Sequence, residues 1–254
     1  MRTPTSVLSG LVRTEALKVG TTRFPVALVG AVSVLTLVLA LQPVLRAGRD
    51  GTPSVGTAGA TLGVLDAMSR GSLAALMLGI VVVTTEFRYQ TVTTALLASP
   101  SRTAFLMAKG VAVAAAGLGL GLLALVLVSL VAVVSGVARR ELVNGDIVLH
   151  AAGLVLTYPL YALLGLATGT LLRRHQPLAV ILPAVWVLGL ESLAAAAVPA
   201  AVSAWSIGGT TAALQNSGAV PEVLPVWVGA GALAGYGLVL LLAGLLSLNR
   251  CDLT

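Results

Sequence analysis

Long apolar runs set the rhythm of this chain. They fall at 24–45, 62–85, 110–136, 147–172, 177–202 and 224–248, and the short stretches between them carry nearly all the charge. Asp66 and Arg70 near the start of the second run and Glu191 within the fifth are the charged exceptions. A helix needs about 20 apolar residues to cross a ~30 Å hydrocarbon core, and each run is that long. Within lipid every backbone N–H and C=O must be satisfied inside the segment, so the runs are expected to be helices. Apolar and polar residues do not alternate with period two, which argues against a membrane β-barrel. The expected fold is all-α and integral to the membrane, with six transmembrane helices in one domain over residues 1–254.

Composition makes the same case. Of 254 residues, 57% are hydrophobic and 9% charged, and the mean hydropathy is +1.02. A soluble domain carries about 25% charged residues to keep its surface wet, so the outer surface here is expected to face lipid. Six spans and their short connections use up the chain, leaving no room for a second soluble domain.

The basic residues orient the helices. With the N-terminus inside, Arg2, Arg13, Lys18, Arg23, Arg88, Arg102, Lys109, Arg173, Arg174 and Arg250 fall on the cytoplasmic side. Arg46, Arg49, Arg70, Arg139 and Arg140 fall outside. That bias follows the positive-inside rule and puts both termini in the cytoplasm of a cell (inner or plasma) membrane protein. The high isoelectric point, about 10.2, thus reports topology, and no nucleic-acid partner is expected. The first run is too long for a signal-peptide core and reads as a retained span. Before it, Val7, Leu8, Leu11, Val12 and Leu17 recur at near-helical spacing opposite Arg13 and Lys18. This pattern fits a helix lying in the membrane interface; a disordered tail is the alternative.

Candidate chemistry is sparse. The single cysteine, Cys251, excludes an internal disulfide and a cysteine-based metal cage, and no metal site is expected. Asp252 spoils the C-terminal prenylation box. No G-x-x-x-x-G-K-[ST] phosphate loop occurs. Gly117 and Gly121, Gly165 and Gly169, and Gly231 and Gly235 form G-x-x-x-G pairs that suit close helix packing. His150 and His175 sit near span ends and are expected at the interface. Asp66 and Arg70, four residues apart on one helix, can neutralise each other. Glu191 lies deep in the fifth run, where a charge at the centre of a lone helix costs about 2.5–3.5 kcal/mol. It is expected either to line a translocation path or to be a buried carboxyl bonded to a neighbouring Ser or Thr.

The segment from Thr84 to Lys109 is the most informative. Glu86, Phe87, Arg88 and Tyr89 open it, Thr91 to Ala98 can make two helical turns with Leu96 and Leu97 as an apolar knob, and Arg102 follows. Ser99-Pro100 is expected to cap and start the third helix. A short helix with an apolar tip and charged flanks suits docking in a groove of another protein.

The order Glu-aromatic-Arg, then Thr-x-Thr-Thr-x-Leu-Leu, Pro, Arg and Lys resembles the first cytoplasmic loop of ABC type-2 export permeases. Arg13-x-Glu15-x-x-Lys18-x-x-Thr21-Thr22-Arg23 is similar to the entry to their first span, and Trp186 to Glu191 to their fifth. Gln90 stands where such permeases often carry glycine.

The resemblance implies a permease that pairs with a second copy or a related permease and with two ATP-binding-cassette ATPase subunits. On that footing Glu86, Phe87, Arg88, Thr91, Leu96, Leu97 and Arg102 couple to the ATPase. Arg13, Glu15, Lys18 and Arg23 belong to the interfacial helix, and 203–222 forms re-entrant outer helices. The chain itself is then neither catalytic nor cofactor-bound, with ATP and Mg on the partner. The cargo is expected to be amphiphilic or lipid-like, moving out of the cytoplasm along an apolar path. Two alternatives remain: a secondary transporter, which predicts intramembrane ionisable groups or broken helices, and a membrane-embedded enzyme using Glu191, which predicts a clustered catalytic set.

Overall fold

The computed structural model describes residues 4–21, 23–49, 53, 57–89, 91, 101–137, 145–172, 176–186, 190–215 and 224–249. The regular structure they form is helical: α1 Pro4–Thr21, α2 Arg23–Arg46, α3 Ala58–Leu65, α4 Ala67–Arg88, α5 Arg102–Val134 and α6 Gly145–Leu171. There follow α7 Gln176–Val185, α8 Glu191–Ala197, α9 Ala200–Ser203, α10 Ile207–Gln215 and α11 Val226–Asn249. Five stretches are long and apolar enough to cross a bilayer: Val26–Arg46, Ala58–Arg88, Arg102–Val134, Gly145–Leu171 and Val226–Ser247. Their outward sides are bare hydrocarbon, including Val34, Val38, Val126, Leu130, Leu238 and Val239. Such an all-α, multi-span bundle is consistent with an integral membrane protein.

Local sequence explains the helix ends. Thr57 caps α3 by accepting from the Ala60 N–H at 3.3 Å. The cap of α5 is Ser101, whose hydroxyl accepts from Ala104 N–H at 3.0 Å. It therefore lies beyond the expected Ser99-Pro100, residues outside those described. Gly136, with φ of 71°, ends α5 in the left-handed conformation that only glycine adopts without strain.

Helix α6 is the hub, and small residues let its neighbours close on it. A Cβ at Gly79 of α4 would stand 2.0 Å from the Ala162 carbonyl oxygen. One at Gly165 would stand 2.0 Å from the Leu76 carbonyl oxygen. These helices therefore touch backbone to backbone, as association in lipid requires. Gly117 and Gly121 of α5 meet Tyr158 and Pro159 of α6 in the same way. By contrast Gly231 and Gly235 of α11 face open space. Tyr158 is fully buried and its hydroxyl donates to the Met68 carbonyl at 2.9 Å, tying α6 to α4.

Two of the apolar runs are not single helices. The second divides at Asp66, where α3 ends and α4 begins. The fifth, 177–202, is interrupted at Val198, whose extended backbone precedes Pro199 and separates α8 from α9, and it carries a second proline, Pro183, inside α7. Proline removes an N–H and disfavours helix at the preceding residue, so an apolar run with such residues need not be one rod. The chain then returns as α10, packed between α6 and α11. Gly153 touches the Leu214 backbone and Gly229 the Thr210 backbone.

Candidate functional site

Side chains that carry chemistry gather at two levels of the bundle. The first joins α1 to the Arg88 end of α4 and the Arg102 end of α5. Lys109 Nζ lies 2.5 Å from Glu15 Oε2 and 3.0 Å from Glu86 Oε1. Lys18 Nζ lies 2.6 Å from Glu15 Oε1 and 3.0 Å from the same Glu86 oxygen. Two acids and two lysines thus close a ring of formally zero charge. Lys109 is fully buried, with Nζ 5.1 Å from the centre of the Phe105 ring. Its burial is tolerable because both carboxylates reach it across 94 and 23 residues of sequence.

The surroundings set the ionisation of the two members on α1. Burial pushes the Glu15 carboxyl up, but the Lys109 charge and hydrogen bonds from Lys109 and Lys18 outweigh it, holding it below the usual carboxylate range. Burial likewise pulls Lys18 down, and the bonds and charges of Glu15 and Glu86 outweigh that, holding it above the usual lysine range. The second Glu86 oxygen, Oε2, is buried without a partner among the described residues.

The expected coupling residues are distributed around this ring. Glu86 faces inward and serves the ring. Phe87 is half-buried against Phe105 and Leu106. Arg88 is exposed, its guanidinium 5.8 Å from the Tyr89 ring centre. The Thr91 hydroxyl donates to the Glu86 carbonyl at 3.4 Å, and half-buried Arg102 opens α5. Leu96 and Leu97 lie outside the described residues. On α1, Arg13 is exposed while Glu15 is buried, and Arg23 opens α2.

The second level lies toward the Asp66 break. A cavity of about 990 Å³ opens between α2, the α3–α4 junction and α10, and its lining includes Leu39, Arg70, Tyr161 and Glu191. Glu191 is buried. Its carboxylate accepts from the Gly208 N–H in the first turn of α10, where the helix dipole favours an anion. Its partner is thus backbone, and it lines the cavity as well. A Cβ at Gly208 would come within 3.0 Å of that carboxylate, so the residue must be small.

His150, expected at the interface, is instead buried at the cavity's edge. Its Nε2 lies 3.0 Å from Asp66 Oδ1, and its Nδ1 faces the Gln215 carbonyl oxygen. Both ring nitrogens therefore lie within hydrogen-bonding distance of oxygen atoms from other elements of the fold. Asp66 thus pairs with His150 across 84 residues, and the described residues show no ion pair between Asp66 and Arg70. Gln215 completes the network, accepting from Ser69 and donating to Thr157, each at 3.1 Å. Tyr161 and Thr211 share a bond of 3.1 Å.

Sequence reasoning passed over Lys109 and His150. The available signal was the pairing of each with an acid on another apolar helix, and only the tertiary contacts reveal it. Among the described residues no group of three or more His, Cys, Asp or Glu is placed to hold a metal ion. Compared with protein-family models, curated proteins and solved structures, the chain matches none of them.

Proposed function

We propose that this chain is the transmembrane permease subunit of an ATP-driven exporter that moves an amphiphilic or lipid-like cargo out of the cytoplasm. The observation that carries the reading is the ionic ring of Glu15, Lys18, Glu86 and Lys109. It ties the N-terminal helix to Glu86, at the start of the 86–102 segment whose residues resemble a coupling loop, and to Lys109, two turns into α5 beyond its other end. A force applied there by a partner would reach α4 and α5 through these charges. A cavity with apolar and polar walls supplies a place for cargo. ATP and Mg belong to two ATPase partners in this reading, and the chain, paired with a second permease, is not itself catalytic. Both termini face the cytoplasm of the cell membrane.

Purification of the chain from its host with a bound ATPase, whose hydrolysis rises with cargo and falls when Arg88 and Arg102 are changed to alanine, is the expected result. Purification without any nucleotide-hydrolysing partner would remove the proposal. A cysteine at Thr93 should react with impermeant label only after the cells are opened; labelling from outside would invert the topology.

A second reading has its own support. Glu191 at the broken fifth segment and the Asp66–His150 pair are the kind of ionisable groups that a proton-coupled secondary transporter uses. Transport that stops when an uncoupler collapses the proton gradient, at constant ATP, would favour it.

A further inference from the structure

The cavity beside the Asp66 break has two unlike walls. On α2, Leu35, Leu39, Pro43 and Arg46 recur at helical spacing and all line it. This wall runs about 16 Å from Leu35 to its cationic rim at Arg46, apolar at Leu35, Leu39 and Pro43 with Gln42 its one uncharged polar side chain. The facing wall is polar, but its groups are already engaged inside the protein. Asp66 meets His150, Ser69 donates to Gln215, Ser72 donates to the Ser69 carbonyl, Tyr161 meets Thr211 and Glu191 meets the Gly208 N–H. Arg70 is different. It is exposed and lines the cavity, and among the described residues no hydrogen bond or ion pair holds its guanidinium. Each acid of the wall has an oxygen bonded inside the protein, and among the described residues Arg70 is the charge on that side left without a partner.

We propose that this cavity binds an anionic amphiphile, with its acid group on the Arg70 guanidinium and its hydrocarbon along Leu35, Leu39 and Leu73. A guanidinium presents a fixed fork of donors suited to a phosphate or carboxylate. Leu73 lies three residues beyond Arg70, one helical turn along α4 and on the same cavity wall. A ligand that reaches Arg70 therefore finds hydrocarbon beside it and across from it. A neutral amphiphile would leave the cation without an anion. A free inorganic anion would leave the leucines bare. The proposal deepens the exporter reading by naming the chemical class of its cargo, and it rests on that reading in taking the cavity as the cargo site.

The test uses the full-length chain in a neutral maltoside detergent with radiolabelled dodecyl phosphate, read by scintillation proximity. Saturable binding is expected that dodecyltrimethylammonium and inorganic phosphate fail to displace. Arg70→Gln should weaken it about tenfold or more, the loss of one charge-assisted contact, while Arg70→Lys retains most of it. Leu39→Trp, which fills the apolar wall, should weaken it similarly and stands in should Arg70→Gln melt below wild type. Equal binding by a well-folded Arg70→Gln variant, or displacement by the cationic amphiphile or by phosphate alone, overturns the proposal. No ATPase enters this measurement, so the cargo class and the exporter reading fall separately.

Discussion

Replacing Lys109 with methionine tests the reasoning about the ionic ring most directly. The methionine keeps most of the side-chain volume and removes the charge that faces Glu15 at 2.5 Å and Glu86 at 3.0 Å. Lys18, whose side chain is 45% exposed, would then be the remaining cation in the ring. Breaking a buried pair by removing one partner costs about 3–5 kcal/mol, because a buried charge is left uncompensated. At about 2–4 °C per kcal/mol for a chain of this length, the melting temperature should fall by about 6–20 °C. Adding Glu15→Gln restores neutrality, leaving Lys18 with Glu86, and should recover part of the loss. The double-mutant cycle in a neutral detergent, followed by thermal unfolding, should give a coupling of about 0.5–3 kcal/mol. A Lys109→Met variant that melts within a degree or two of wild type, together with an additive cycle, would refute the argument. The pH arm follows from the same ring. The depressed Glu15 contributes fully above the ordinary carboxylate range, and its contribution disappears as pH falls through its own lower value. The elevated Lys18 contributes fully below the ordinary lysine range and is lost as pH rises through its higher value. Melting should therefore hold level through neutral pH and drop at both extremes.

Two further predictions concern packing and the buried acid. Gly165→Ala would push a Cβ into the Leu76 backbone and should destabilise by about 1–3 kcal/mol or more, whereas Gly231→Ala meets open space and should be neutral or slightly stabilising; equal melting of the two would show that α4 and α6 are not in backbone contact. Glu191→Gln keeps an acceptor for the Gly208 N–H and should melt close to wild type, while Glu191→Ala strands that donor and should lose about 1–3 kcal/mol; the reverse order would refute the capping role.

The long helices were legible because lipid imposes one rule, that no charge interrupts a crossing segment without cause. The runs at 24–45 and 224–248 therefore appear as α2 and α11 with ends displaced by a few residues. The same rule is silent on the burial of Lys109, because Glu15 and Glu86, which make that burial tolerable, come from other helices. His150 and Asp66 were hidden for the same reason, and the local pairing of Asp66 with Arg70 gave way to a distant one. Apolarity also says nothing about continuity. The fifth run looked uniform, and its break at Val198 reflects Pro199, while the Glu191–Gly208 contact ties α8 to α10. The Gly-x-x-x-Gly spacings suited close approach in α5, α6 and α11 alike, and it is found in α5 and α6 but not in α11, since spacing does not say which side a helix turns to its neighbours.

Helix α5 is 33 residues long, about 50 Å of continuous rod, against a hydrocarbon slab of ~30 Å. It must lean or protrude, and it crosses α6 at Gly117 and Gly121, near its middle. Lys109, two turns from one tip, and exposed Val134 at the other tip therefore lie on opposite sides of that crossing, the one end fastened by charge and the other presenting bare hydrocarbon.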